Sequence, residues 1–599
     1  MNQTRSVQFL GRTYPIWTVA LAFIGLGLLA YAPYFFSGFS ADDFIFINML
    51  EGATPYNPWL GFWAVPVDQY QGFTQLWWVA NAPVGAFLRP IASWTLSALY
   101  WAFGRNAAPF HITSVIIHSL GAFTAFLLLR RLSDRDLPAL LAALLFLICE
   151  DHGMTVAWIA TITDLLCVLF LNLAFLCHIT ARQERKPWLF ALSLPLFLIA
   201  FASKETAAIY PVIVGVYELF FADRLAGEGN GISLLTRIKL VFKSWWAWAI
   251  PLAVFAVYMA FYRSFFPPIS TMMYIDPFSQ PGRYLATAIP NIPVMFFALL
   301  SQFLPSIVFM VPGSQYSAAA LGVILIALLI WALLPYRREP AIWFSLAIFF
   351  LALLPGLAAD IGERLLYYPS VFGLFLVAWL ILQTPKLRLR YMPDTPPGVR
   401  TLAPLWGWYL IISALILPVV LLFVYPWMWI PSMGWPEDTV LDSLPYIDED
   451  IHEHVIYLNT NSSFNTFYLP DIYRYHRDEY VDLRVLSSFN GRVQSRSESP
   501  NMLTLRTDDL GWLSNMFARV IRTDPDFAVG DAYDTELFTA TIMQVTPGQG
   551  DVLEVHFIFN IPLDDSSMMF IYWDGENYQR WQPTSEWQLL NSTIDPFSF

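Results

Sequence analysis

The chain has 599 residues, of which 57% are hydrophobic, 17% aromatic and only 13% charged, with a formal net charge of −13. That balance excludes an ordinary soluble globular protein and indicates an integral membrane protein, with no nucleic-acid partner expected. Apolar stretches of about 17 to 25 residues recur from Ile16 to Ile430, each long enough as a helix to cross a hydrocarbon core. Their apolarity is continuous rather than alternating, which selects helices over a closed barrel.

In chain order, crossings are expected near residues 15–36, 109–129, 137–149, 155–178, 187–202, 206–221, 245–263, 317–335, 341–357, 365–383 and 403–429, eleven in all. The first lacks a small-residue cleavage site and is followed by further spans, so it reads as an uncleaved anchor. Residues 285–311 are also apolar enough to cross, but Pro290, Pro293 and Pro305 interrupt them. A re-entrant or interfacial helix pair in an outer loop is expected there. The transmembrane part then spans residues 1–430, with outer loops at 37–108 and 264–316.

Short loops rich in Lys and Arg stay on the cytoplasmic side. Arg5 and Arg12, Arg130-Arg131, Arg182 with Arg185-Lys186, the Arg224 to Lys243 segment, Arg337-Arg338, and Lys386 with Arg388 and Arg390 all fall on one side of this count. The N-terminus is therefore expected to be cytoplasmic. The opposite face holds Asp42-Asp43, Glu150-Asp151-His152, Lys204-Glu205 and Glu363-Arg364.

Composition changes after Ile430. From Glu437 onward there are 27 Asp or Glu against nine Arg and no Lys, and the odd number of crossings places this acidic region, 431–599, outside. Residues 453–486 mix short apolar runs with turn residues, suggesting a small α/β unit. From about 501, runs such as Asp551 to Phe559 and Met568 to Trp573 suggest an antiparallel β-sandwich. The three cysteines, Cys149, Cys167 and Cys177, fall in the spans, so the tail folds without disulfides. No zinc-type CxxC pairing, P-loop, GxGxxG opening a helix or long repeat is present.

Several short elements follow one another in a fixed order. Asp42-Asp43 comes after the first span, then Leu88-Arg89-Pro90-Ile91, Pro109-Phe110-His111 with His118, Thr155 to Ala160 followed by Thr163-Asp164-Leu165-Leu166, Ala202-Ser203-Lys204-Glu205-Thr206, and Glu363-Arg364-Leu365-Leu366-Tyr367-Tyr368-Pro369-Ser370. This series resembles the GT-C glycosyltransferase superfamily, especially its protein O-mannosyltransferase and TMTC-like branch, over roughly residues 15–385. Two departures stand out. Glu150-Asp151-His152 occupies a place where the family often has His-Pro, and Thr163 rather than Arg precedes Asp164.

The resemblance implies a polytopic GT-C-like helical fold with a C-terminal extracytoplasmic α/β-to-β-rich domain. It also implies transfer of a sugar, mannose in the named branch, from a polyprenyl-phosphate-linked donor to a protein, lipid or glycan acceptor on the outer face. An acceptor hydroxyl needs a base as it attacks the anomeric carbon, and the departing lipid phosphate needs cations or a metal. By resemblance Asp42 is the first candidate base and Asp43 the second; the alternative is that the pair caps the first loop helix. Glu150 and Asp151 form a second acidic site or simply a solvated loop. A divalent cation, Mg or Mn, could sit on Asp42, Asp151 and His152.

Arg89, Lys204 and Arg364 are the candidates for donor phosphate. Against this, Lys204-Glu205 and Glu363-Arg364 could pair locally, and Arg89 could extend to headgroups. His111 and His118 are expected to bridge neighbouring helices, and Asp164 to pair with one. Most Trp residues are assigned to interface belts, with Trp59, Trp63 and Trp77-Trp78 as sugar-stacking candidates. A transporter or flippase of lipid-linked glycans is the alternative function.

Overall fold

The structure is a computed structural model that describes residues 6–9, 12–52, 56–64, 76–79, 87–227, 233–266, 274–302, 308, 313–359, 361–390, 405–424, 447, 452–460, 463–477, 482–487, 492–508, 511–512, 527–547 and 551–591. The chain divides into two compact units. One comprises Met1–Gly38, Leu88–Pro267 and Pro277–Ile430; the other comprises Phe39–Phe87, Pro268–Asp276 and Pro431–Phe599. Phe39–Phe87 therefore clusters with the acidic tail.

The first unit is helical. A hairpin of β1 (Ser6–Phe9) and β2 (Arg12–Pro15) leads into the helix Ile16–Ala30. The 26-residue helix Ala108–Ser133 is a central post: it packs against Ile16–Ala30, Asp136–Ile148 and Ile162–Glu184. Its buried residues include Ala122, Ala125, Phe126 and Leu129, as a helix surrounded by others requires. By contrast Trp246–Phe265 and Ser314–Tyr336 leave Val257 and Ile324 exposed, the arrangement suited to contact with lipid chains, where burial of apolar side chains against protein gains little.

Among the described residues, six helices are long and apolar enough to cross a membrane, or seven if the pair Asp136–Ile148 and Glu150–Ala157, bent by 53°, counts as one. Ile16–Ala30, Pro187–Phe201, Pro340–Gly356 and Pro369–Gln383 are shorter apolar helices. These ten or eleven elements coincide with most of the expected crossings. The stretch 206–221 differs: it opens as a 3₁₀ turn, Glu205–Ile209, before the helix Tyr210–Phe220.

Only part of the stretch expected as a re-entrant or interfacial pair, 285–311, lies within the described residues. Residues Pro281–Ser301 form one continuous helix with Pro290 and Pro293 inside it, and it too is long and apolar enough to cross; Pro305 lies outside the described residues. Proline is tolerated in such helices because neighbouring helices cover the backbone it disrupts. The neighbour here is Ser314–Leu333, whose Gly322 lies so close to the Pro293 carbonyl that a Cβ would collide with it. Parity of crossings consequently does not carry the placement of the tail.

The second unit contains two sheets. In the first, β3 (His454–Tyr457) and β4 (Asp482–Val485) are parallel and joined through the helix Ser463–Arg477, a βαβ crossover that realises the expected α/β unit. The second is six-stranded, in the order β12-β5-β6-β9-β8-β7, with β5 at Val493–Ser499, β6 at Met502–Thr507, β7 at Ala532–Asp534, β8 at Phe538–Val545, β9 at Val552–Phe559 and β12 at Gln588–Leu589. Its pairings are antiparallel.

Met568–Trp573, assigned from sequence to the antiparallel part, is β10 and runs parallel to β3. It brings β11 (Tyr578–Arg580) with it, giving the order β11-β10-β3-β4. Its burial on both faces over Met568–Ile571 fits a strand covered on two sides.

Candidate active site

In the membrane unit the candidate charges sit at interruptions of helices. Glu150–His152 and Glu363–Leu366 are 3₁₀ turns that pack against each other, and Lys204 immediately precedes a third, Glu205–Ile209. Arg89 precedes Pro90, and the pre-proline position keeps it out of the helix Pro90–Phe103. Such breaks turn side chains away from the regular i, i+4 rows and let them converge.

Arg89 grips Glu205 with a fork: Nη2 to Oε2 at 2.7 Å and Nε to Oε1 and Oε2 at 3.2 and 3.1 Å. Lys204 Nζ donates to both oxygens of Asp164 at 2.7 and 2.6 Å. Neither Lys204 nor Glu205 thus pairs within its own dipeptide, and Arg89 is held by a carboxylate rather than extended to headgroups. The expected helix partner of Asp164 is a lysine 40 positions away. Arg89 and Arg364 both act electrostatically on Lys204, so the three cations share one region. Arg364 is exposed, with its guanidinium 5.3 Å from the Trp158 ring centroid, and has no carboxylate partner among the described residues.

The second acidic site is buried, not a solvated loop. Glu150 is 2% and Asp151 0% exposed. Gln302 Oε1 accepts the Glu150 backbone N–H at 3.2 Å, and Glu363 acts electrostatically on Asp151. The Asp151 Oδ1 is buried without a hydrogen-bond partner among the described residues. His152 is spoken for: Nδ1 lies 2.9 Å from the Phe146 carbonyl and Nε2 2.9 Å from Ser370 Oγ. Both ring nitrogens of His152, a metal candidate from sequence, are therefore engaged with protein partners in this arrangement. Among the described residues no three His, Cys, Asp or Glu side chains gather as a ligand set.

His118 bridges Tyr367 Oη at 2.8 Å and the Leu147 carbonyl at 3.1 Å, and His111 Nε2 lies 3.2 Å from Ser37 Oγ and from the Gly38 carbonyl. Both act as the bridging residues their positions on a buried helix suggest.

In the other unit, Asp42 and Asp43 open the helix Asp42–Leu50, and the cap position is Ala41, in the unusual conformation φ 52°, ψ −122°. Neither acid is the N-cap. Asp43 is buried, and its Oδ2 reaches back to accept the Ser40 N–H at 3.0 Å. Asp42 is half-buried, and its Oδ1 accepts a hydrogen bond from Tyr468 Oη at 2.7 Å. The adjacent carboxylates thus have different surroundings.

The tryptophans of this unit also separate. Trp77 is 2% exposed, donates its indole N–H to the Leu486 carbonyl at 2.9 Å and packs edge-on against Tyr533 and Phe557. With Trp78 it is core, neither belt nor sugar platform. Trp59, at 76% exposure, keeps an open face.

Sequence reasoning passed over Tyr468, Trp158 and Gln302. Tyr468 lies in a helix of the tail and Gln302 beside a proline-rich run, so no local signal tied either to the acidic turns they meet.

The motif-based resemblance is borne out by a family match: residues 83–248 fit the model of the dolichyl-phosphate-mannose-protein mannosyltransferase family. That segment contains Arg89, Glu150, Asp151 and Lys204, and ends before Arg364. No curated protein matches the chain. Among solved structures, the Archaeoglobus fulgidus oligosaccharyltransferase tethered with an acceptor peptide containing the NVT sequon is similar at 11% identity and a TM-score of 0.39. That match covers 78% of this chain and 64% of the other, so the chain spans just under two thirds of its length. The same organism's AglB in complex with an inhibitory peptide and a dolichol-phosphate gives 13% identity, a TM-score of 0.37, and coverage of 79% and 65%. Cupriavidus metallidurans ArnT bound to undecaprenyl phosphate gives 12% identity, a TM-score of 0.38, and coverage of 78% and 85%.

Proposed function

We propose that the protein is an integral membrane glycosyltransferase that moves a sugar from a polyprenyl-phosphate-linked donor to an acceptor hydroxyl on the extracytoplasmic face. The observation that carries this is the cation cluster at the helix breaks. Arg89 and Lys204 are ion-paired with Glu205 and Asp164, and Arg364, in the same region, is exposed without a carboxylate partner among the described residues. An excess cation held beside an aromatic ring at a helix break is suited to a lipid phosphate, and intramembrane charge is retained chiefly for function.

In the reaction, the acceptor oxygen forms a bond to the anomeric carbon while the bond from that carbon to the donor phosphate oxygen breaks. The electron pair leaves with the polyprenyl phosphate, whose added charge Arg364 stabilises. Lys204 and Arg89, already engaged by carboxylates, set the field around it. The acceptor proton goes to Asp42, the half-exposed member of the acidic pair, acting as general base. Asp43, buried and bonded to the Ser40 amide, holds the turn.

A hard divalent cation fits Asp151 and Glu363 better than it fits His152, because the buried Asp151 Oδ1 is available while both His152 nitrogens are committed. Such an ion would supply positive charge to phosphate oxygens. Mannose as the sugar and a protein as the acceptor follow the description of the matched family.

The test is to incubate the purified protein with polyprenyl-phosphate-mannose and a Ser/Thr-containing peptide and measure released polyprenyl phosphate. Release coupled to peptide glycosylation is expected. Movement of donor across a vesicle membrane without release would replace this proposal by the transporter alternative.

A further inference from the structure

We propose that Tyr468, contributed by the C-terminal tail, is a positioning residue for Asp42. This rests on the assignment of Asp42 as general base and adds a partner to it from a part of the chain that the family match does not reach.

The contact is built rather than incidental. Tyr468 is 7% exposed, so its hydroxyl has little water to turn to, and it donates to Asp42 Oδ1 at 2.7 Å. Tyr468, Asp471 and Tyr475 recur at i, i+3 and i+7 and so share one face of the helix Ser463–Arg477. That face lies along the helix Asp42–Leu50. Asp471 accepts from Asn48 Nδ2 through its carbonyl at 2.9 Å and its Oδ1 at 3.1 Å. Tyr475 packs edge-on against Phe44 and Phe39, at centroid distances of 5.1 and 5.9 Å.

Behind Asp42 the backbone is set by Ala41 at φ 52°, a left-handed value that a residue with a Cβ adopts only when its surroundings hold it there. The Ser40 to Asp43 bond spans this residue, and the tail helix bonds to the Asp42 that follows it.

A hydroxyl donating to a carboxylate does two things. It fixes the plane of the carboxylate, and it favours the charged form, which is the form a general base needs. Loss of the donor therefore raises the pKa of the base, and the acid limb of the rate profile moves to higher pH. The titratable and charged groups that these two helices carry include Asp43, Asp471, Tyr475 and His476 at the contact, with Arg474 and Arg477 on the same tail helix. All remain in a Tyr468→Phe variant.

The experiment uses the full chain with polyprenyl-phosphate-mannose and a Ser/Thr peptide, comparing wild type, Tyr468→Phe, Asn48→Ala and Asp42→Asn. Tyr468→Phe is expected to lower kcat by about tenfold, the order of one hydrogen bond to a charged group. It should leave the donor KM unchanged and shift the acid limb of kcat upward by roughly one pH unit. Asn48→Ala loosens the same helix pair without touching the Asp42 bond and should leave the acid limb in place. Activity in Asp42→Asn would overturn the base assignment itself. An inactive Asp42→Asn with a wild-type profile for Tyr468→Phe would overturn only the role of Tyr468. An equal shift in Asn48→Ala would also overturn it, because general docking of the tail would then be sufficient. Should Tyr468→Phe lose its fold, as read by thermal melting, Tyr468→His restores a ring donor and is expected to recover the wild-type limb; failure to recover it in a folded protein counts against the proposal.

Discussion

The two units hold their candidate charges differently. In the membrane unit, cations and carboxylates neutralise one another across helices: Arg89 with Glu205, Lys204 with Asp164, and Arg182 with the 2%-exposed Glu218. In the second unit, two like charges stand side by side, and the Ser40 amide donates to Asp43 while the Tyr468 hydroxyl donates to Asp42. Opposite-charge pairing suits a medium where an isolated ion is expensive. A hydrogen bond donated by a hydroxyl or an amide favours the ionised carboxylate, the form that can accept a proton.

The sharpest way to break this contrast is Asp42→Asn. It removes the proton acceptor while keeping the side-chain shape, and is expected to lower kcat by about 10²- to 10⁴-fold with membrane expression intact. Residual activity near wild type would make the two acids equivalent again. Next in size, Lys204→Met strands Asp164 in a site where Asp164 is 6% exposed. A loss of about 3 kcal/mol or somewhat less is expected, given that Lys204 is 14% exposed, and thermal melting in detergent reads it. The double variant Lys204→Met with Asp164→Leu should recover much of that loss; if it does not, the pair is more than mutual neutralisation.

Arg364→Ala tests the excess cation. Its donor KM is expected to rise about tenfold or more with melting behaviour unchanged, since no carboxylate among the described residues is left behind. An unaltered KM would remove Arg364 from the phosphate site. The smallest effect is expected for Asp43→Asn, about 1 kcal/mol of stability from the weakened bond to Ser40, with kcat within a few fold of wild type. A collapse of kcat there would move the base from Asp42 to Asp43.

Much of the fold was legible because its signal is local. An apolar run such as Ile159–Glu184 announces a crossing by itself, and the switch to Asp and Glu after residue 437 announces the tail. Partners are non-local and were less legible. Strand composition identified Met568–Trp573 as a strand but carried nothing about its parallel neighbour β3, over a hundred residues earlier. The same limit explains Lys204: its nearest acid in sequence is Glu205, while its actual partner Asp164 is brought in by a second helix. Trp77 and Trp78 were ambiguous because a loop tryptophan buried by another part of the chain has the same sequence context as one that meets solvent. Pro290 and Pro293 do not break the helix Pro281–Ser301, because the close approach of Gly322 covers the backbone they disturb, a contact with no local sequence signal.

The bond between Tyr468 and Asp42 joins positions 426 residues apart. A ribosome completes the helix Asp42–Leu50 and the spans that follow long before it makes the tail helix. Contacts of such large sequence separation form late in assembly. Asp42 therefore passes through synthesis without the partner that sets it, and a nascent or truncated chain carries the acidic turn in an unfinished state. The order of the chain thus makes the contact between the acidic turn and the tail wait until translation has passed Tyr468.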